Sequence, residues 1–218
     1  FFKYNVKLNL NKLRNTLRNT LKDLWEYVIP IWKISGLFKR INSKEDLENF
    51  IQERSAHVTQ TTLYGYLKTR IGVKYIAMME DEVFLKSINI AKWNIYMVAL
   101  ADCSFYVFSY LISEKNLKTN DCKEIFLNII EKEKKNGLSE QIYNNGKKNF
   151  LERYEKVDFY KYHIDDPFKN SGEALYYWSP IADELKTLDK KIVLNSISLK
   201  WGLAKNEFKK LTKELNFS

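Results

Sequence analysis

The sequence predicts an all-α fold, a helical bundle around one central apolar helix at about residues 80–113, with a basic amphipathic helix ahead of it at the N-terminus. Three observations lead there. Only 7 glycines and 3 prolines occur in 218 residues, too few for a hairpin-rich sandwich or barrel, which spends turn residues every eight to twelve positions or so. Apolar residues recur at steps of three and four through every long segment, which is the spacing of one helix face. From Trp93 onward the stretch up to Ser113 is apolar on its opposite side as well, as in a helix surrounded by others. The length suits one sizeable core, so residues 1–40 read as a leader helix and 41–218 as a single helical domain.

In the leader, Val6, Leu10, Leu13, Leu17, Leu21, Leu24 and Val28 form one stripe on a helix over residues 5–29, ended by Pro30. Residues 1–40 carry nine basic side chains against Asp23 and Glu26, so +7 of the chain's +9 lies there and the body is close to neutral. Trp25, Tyr27, Trp32 and Phe38 beside these cations suit an interface. The stripe fits packing on the domain itself or on a protein partner, or an anionic membrane surface. A targeting presequence fits less well, because residues 1–34 contain no serine. Nucleic acid is disfavoured too: only six of the 36 basic residues are arginine, the residue that supplies bidentate contacts to bases and phosphates.

The second helix is predicted to start at Ser43, with Glu45 and Asp46 in its first turn, and to stop at Gly72 after Arg70. Its apolar face runs through Leu47, Ile51 and Val58 and takes in Arg54, Thr61 and Gly65, where a neighbouring backbone is expected to approach closely. Glu80, Asp81 and Glu82 open the central helix, since acids suit the positive end of the helix dipole. Residues 93–113 are long enough to cross a bilayer, but Asp102 at mid-depth, with Asn94, Ser104, Ser109 and three tyrosines, favours a buried core helix. Further helices are expected at 120–135, 139–160 and 180–215, with Pro180 in the first turn of the last. Gly202 is a candidate kink there, and Ile192 to Leu199 a candidate short strand. Asp165-Asp166-Pro167 and Asn170-Ser171-Gly172 read as loop. Cys103 and Cys122 form no C-x-x-C motif and fit a reducing compartment.

Asp102 is the most unusual local feature, because a carboxylate in an apolar helix must find a partner or take up a proton. Arg54, between Ile51 and Val58, is the counter-ion expected from the sequence. A polar pocket of Arg54, His57, Gln60, Tyr64 and Asp102 follows, since Glu53, His57, Gln60 and Tyr64 share one helical stripe. The alternative is a structural ion pair beside a solvated flank. No metal and no cofactor are expected: His57 and His163 are the two histidines, and the paired Glu-x-x-His motifs of a di-iron bundle are absent.

The serine elbow of hydrolases is also missing, as is a glycine-rich phosphate loop. Ser55, Thr61, Ser104 and Cys103 are the candidate nucleophiles with His57 as base; Thr61, four residues from His57, is the best placed, whereas Ser55, at a spacing of two, points away from it. The aromatic density from Tyr154 to Trp178 reads as either a stacking platform or the edge of a core.

The run Glu53-Arg-Ser-Ala-His57-Val-Thr-Gln60-Thr-Thr-Leu-Tyr64-Gly-Tyr-Leu-Lys-Thr-Arg70, followed by Glu80-Asp-Glu-Val-Phe84 and Ile88-Asn-Ile-Ala-Lys-Trp93, resembles a family of small uncharacterised bacterial proteins, some labelled esterase. The likeness covers about residues 43–113 and implies a bacterial cytoplasmic protein; it supplies no nucleophile. The sequence therefore leads to a non-catalytic interaction or assembly protein, cytoplasmic or peripheral to a membrane. A small hydrolase using the polar pocket around His57 and Asp102 is the alternative.

Overall fold

A computed structural model describes residues 40–215. Helices α1 (Lys44–Ile71), α2 (Glu82–Lys115), α3 (Cys122–Lys134), α4 (Glu140–Tyr154), α5 (Lys169–Trp178) and α6 (Asp183–Leu211) make up the fold, with short helical turns at Gly72–Lys74 and Tyr75–Met78 between α1 and α2. No strand occurs among the described residues. The leader helix expected over residues 5–29 lies outside them.

The helix ends follow local chemistry. Ser43 accepts a hydrogen bond from the Asp46 N–H at 3.1 Å, and the Asp46 carboxylate accepts from the Ser43 N–H at 3.0 Å, a reciprocal capping box. Gly72 ends α1 at φ 59°, a conformation that costs a side-chain-bearing residue but not glycine. Asp81 caps α2 by accepting from the Phe84 N–H at 2.8 Å. Asn116 then closes that helix in the left-handed region, φ 56°.

Helix α2 is the centre of the bundle. It packs against α1, α3, α4 and α5, while α6 lies across α1 and α5. Ile95, Leu100, Phe105, Val107 and Leu111 along it are fully buried. It is long and apolar enough to cross a bilayer, but 83% of its apolar window is covered by the protein itself, which makes it a core helix. Phe105, Phe150 and Phe126 form a continuous stack joining α2, α4 and α3, with centroid distances of 5.0 and 3.7 Å. Phe168 stacks on Trp201 at 4.1 Å and seats α6. Buried polar ties cross the same contacts: Glu133 of α3 accepts from Tyr96 of α2 at 2.9 Å and from Gln52 of α1 at 2.7 Å. Asp189 of α6 holds Arg70 and Tyr66 of α1.

Several expectations need correction. Residues 192–199 are helical throughout; Val193, Ile197, Trp201, Ala204 and Phe208 are buried at helical spacing, and that period outweighs the local β-branched propensity. Gly202 neither splits nor ends α6. Pro180 precedes the Ala182 N-cap instead of occupying the first turn. Helix α4 stops at Tyr154, short of 160. Asn170-Ser171-Gly172 is the first turn of α5, not loop. Gly172 packs closely there, because a Cβ would stand 3.0 Å from the Leu194 side chain, which would have to give way slightly.

No backbone approaches Gly65. A Cβ there, like one at Gly202, would meet nothing within 4 Å. Thr61 is likewise exposed, and the buried face of α1 turns instead through Ser55, Thr59, Thr62 and Leu63. Both glycines thus cost helix propensity without a packing return. Gly65→Ala and Gly202→Ala are expected each to raise stability by about 0.5–1 kcal/mol in urea denaturation, and a loss at either would reveal a close contact.

Candidate functional site

Asp102 has no solvent exposure, and its partners are not those expected. Arg153 of α4 forms the ion pair with its Oδ1. Tyr162, in the connection after α4, lies 3.1 Å from the same oxygen and 2.7 Å from the Pro167 carbonyl, so its one hydrogen faces two acceptors. The Asn170 amide reaches Oδ1 at 3.4 Å. Oδ2 accepts from the Ser171 N–H at 2.7 Å and the Ser171 hydroxyl at 2.6 Å. The carboxylate therefore sits on the first turn of α5, where free N–H groups and the helix dipole favour negative charge. That explains a turn-like Asn-Ser-Gly at a helix start. Burial, reinforced by the Asp102 charge, pushes the Tyr162 phenol far up, so it stays protonated.

In front of this network lies a cleft of about 410 Å³, lined by Phe105, Arg153, Lys156, Asp158, Lys161, Tyr162, Asp165 and Asn170 among others. Its three cations are offset by two acids at the rim and by Asp102 beneath. Charge alone gives it no preference for an anion.

Arg54 instead pairs with Glu207 of α6 at 2.7 Å, almost buried at 8% side-chain exposure. The expected Arg54–Asp102 pair is therefore corrected. Arg54 is bonded to α6, and Asp102 to α4 and α5. His57 remains near Arg54: its pKa is lowered first by burial and then by the Arg54 and Lys200 charges. Gln60 and Tyr64 continue that half-buried flank of α1. The hydrogen-bond and ion-pair partners of Asp102 described above are Arg153, Tyr162, Asn170 and Ser171, none of them on that flank.

The candidate nucleophiles are bonded to helix carbonyls. Ser55 donates to Ala99 O at 3.4 Å, Thr61 to the main-chain oxygen of His57 at 2.8 Å, and Ser104 to Leu100 O at 2.8 Å. Burial pushes the Cys103 thiol up to about 12, which keeps it a poor nucleophile. A serine–histidine–carboxylate chain does exist elsewhere. Ser109 Oγ is 2.9 Å from His163 Nδ1, and His163 Nε2 is 3.3 Å from Glu114. Yet Ser109 also accepts the His163 backbone N–H at 2.9 Å and has no exposure, so this chain fastens the 155–168 connection to α2. The aromatic segment behaves largely as a core edge: Phe159 and Tyr162 pack edge-on against Phe105. Among the described residues, no three His, Cys, Asp or Glu side chains are grouped to hold a metal ion.

Comparison with protein families, with curated proteins and with solved structures gives no match for this chain.

Two outcomes follow from this geometry. Asp102→Leu leaves Arg153 and the Ser171 donors stranded, and Arg153→Met strands the carboxylate. Each is expected to cost about 3–5 kcal/mol in denaturation, with strong coupling in the double mutant; small additive losses would contradict the network. His57 is held neutral by the fold. Its contribution is complete above the ordinary histidine value of about 6.5 and is lost as pH falls through the lowered folded value. The urea midpoint should therefore drop below pH 6.5 more steeply in wild type than in His57→Gln.

Proposed function

We propose that this chain is a non-catalytic interaction or assembly protein, working in the bacterial cytoplasm or at the periphery of a membrane. One observation carries the reading. Helix α6 buries Val193, Ile197, Trp201, Ala204 and Phe208 inward, yet Leu185, Leu188, Ile192, Leu199 and Leu203 on its outer side are exposed by 40, 76, 66, 74 and 66%. Scattered exposed leucines are ordinary, but a contiguous row marks a contact surface. The apolar stripe and +7 charge that the sequence alone gives residues 1–40 support a second contact, with anionic lipid or a protein partner through residues 5–29. The hydrolase alternative has less support, since Ser55, Thr61 and Ser104 donate to backbone carbonyls and burial keeps the Cys103 thiol protonated.

A Leu188→Lys/Leu199→Lys variant is the test of the docking face. It should keep wild-type helicity and an unchanged or higher melting temperature while losing its cellular associations in proximity labelling. A panel of short-chain esters tests the alternative. No hydrolysis above background is expected from wild type, whereas activity that survives purification and vanishes in His57→Ala would overturn the reading.

A further inference from the structure

We infer that the exposed row on α6 is a self-association surface, along which two copies of this chain pair antiparallel about a two-fold axis near Leu194. This rests on the interaction reading above and names the partner. At 100° per residue, Leu185, Leu188, Ile192, Leu199 and Leu203 fall in a sector about 60° wide, and the row runs for about 27 Å at 1.5 Å per residue. All five are exposed, so α6 is apolar on two sides and needs only one for its own core.

The row is close to palindromic. Leu185 and Leu203 stand nine residues either side of position 194, and Leu188 and Leu199 stand six before and five after it. A two-fold axis at this point sets Leu185 against the second copy's Leu203 and Leu188 against its Leu199. It brings exposed Asn195 and Ser196 next to their own counterparts. An amide carries both donors and an acceptor and so pairs with itself, and such a polar residue within an apolar seam fixes register.

Charge decides the direction and the occupant. Exposed Asp183 and Glu184 open α6, and exposed Lys209 and Lys210 close it. At 100° per residue Glu184 and Lys210 lie about 70° and about 10° from the centre of the row, so antiparallel pairing lays Glu184 of each copy toward the Lys210 end of the other and opposes the helix dipoles, whereas parallel pairing stacks like on like. A purely acidic or purely basic partner would suit one end and be repelled by the other. A second copy suits both, which is the condition for an isologous contact.

Light scattering on the full chain across a concentration series reads the mass. The expected result is twice 26.0 kDa at high concentration, reduced to a single chain in Leu188→Glu/Leu199→Glu with helicity unchanged, and retained in Val83→Glu, an exposed apolar position on α2. Leu185→Cys and Leu203→Cys proteins then read the direction under mild oxidation, the native Cys103 and Cys122 being buried. Disulfide-linked dimers should form in the mixture and in neither protein alone. A monomer at every concentration, a dimer that survives the double glutamate variant, or cross-linking of Leu185→Cys with itself would each overturn the pairing. The interaction reading fails separately, on ester hydrolysis dependent on His57.

Discussion

The arrangement of the second half of the chain depends on one buried carboxylate. Asp102 occupies the middle of the most apolar helix, with no exposure, where an uncompensated charge would be prohibitive. Its compensation is assembled from Arg153, Tyr162, Asn170 and Ser171, residues that follow it by 51 to 69 positions. Helix α4 must present its last turn to α2, the connection must fold its tyrosine inward, and α5 must begin where its first-turn N–H groups meet the carboxylate. The aromatic packing follows the same placement, since the Arg153 guanidinium lies 5.0 Å over the Phe105 ring that stacks on Phe150.

What was legible in the sequence was what is decided locally. Ser43 and the acids Glu80, Asp81 and Glu82 were readable as helix starts and Gly72 as a stop, because caps and the helix dipole act within one turn. The burial of α2 was readable from apolar residues on all its sides. Partner choice was not, because Arg54 and Asp102 each had several equivalent ways of being satisfied, and only tertiary packing sends one to Glu207 and the other to Arg153. Asn170-Ser171-Gly172 misled for a related reason. The residues that make a turn are also those that suit the first turn of a helix receiving a carboxylate. A signal was present in Arg153, an arginine one residue before the aromatic-rich stretch that begins at Tyr154, but nothing in the spacing linked it to position 102.

The serine, histidine and glutamate at 109, 163 and 114 show why residue types do not define a reaction. Their mutual distances are within the range of a nucleophile, base and orienting acid. The serine oxygen, however, is occupied by a backbone N–H and closed off from solvent, so no carbonyl carbon reaches it. The same composition serves as a fastener between a connection and a helix. On α1, Thr61 and Thr62 similarly turn their hydroxyls to carbonyls one turn back, which satisfies them without a substrate.

Tying α4, the connection and α5 to a single pair of carboxylate oxygens also shapes how this half of the molecule moves. A segment fastened at one end only frays independently of its neighbours, but these three share one anchor, and releasing any of them leaves the others holding a less compensated charge. Opening is thereby expected to be collective, with the stretch from Arg153 to Ser171 exchanging its amides as one cooperative unit and the cleft above Asp102 widening with it.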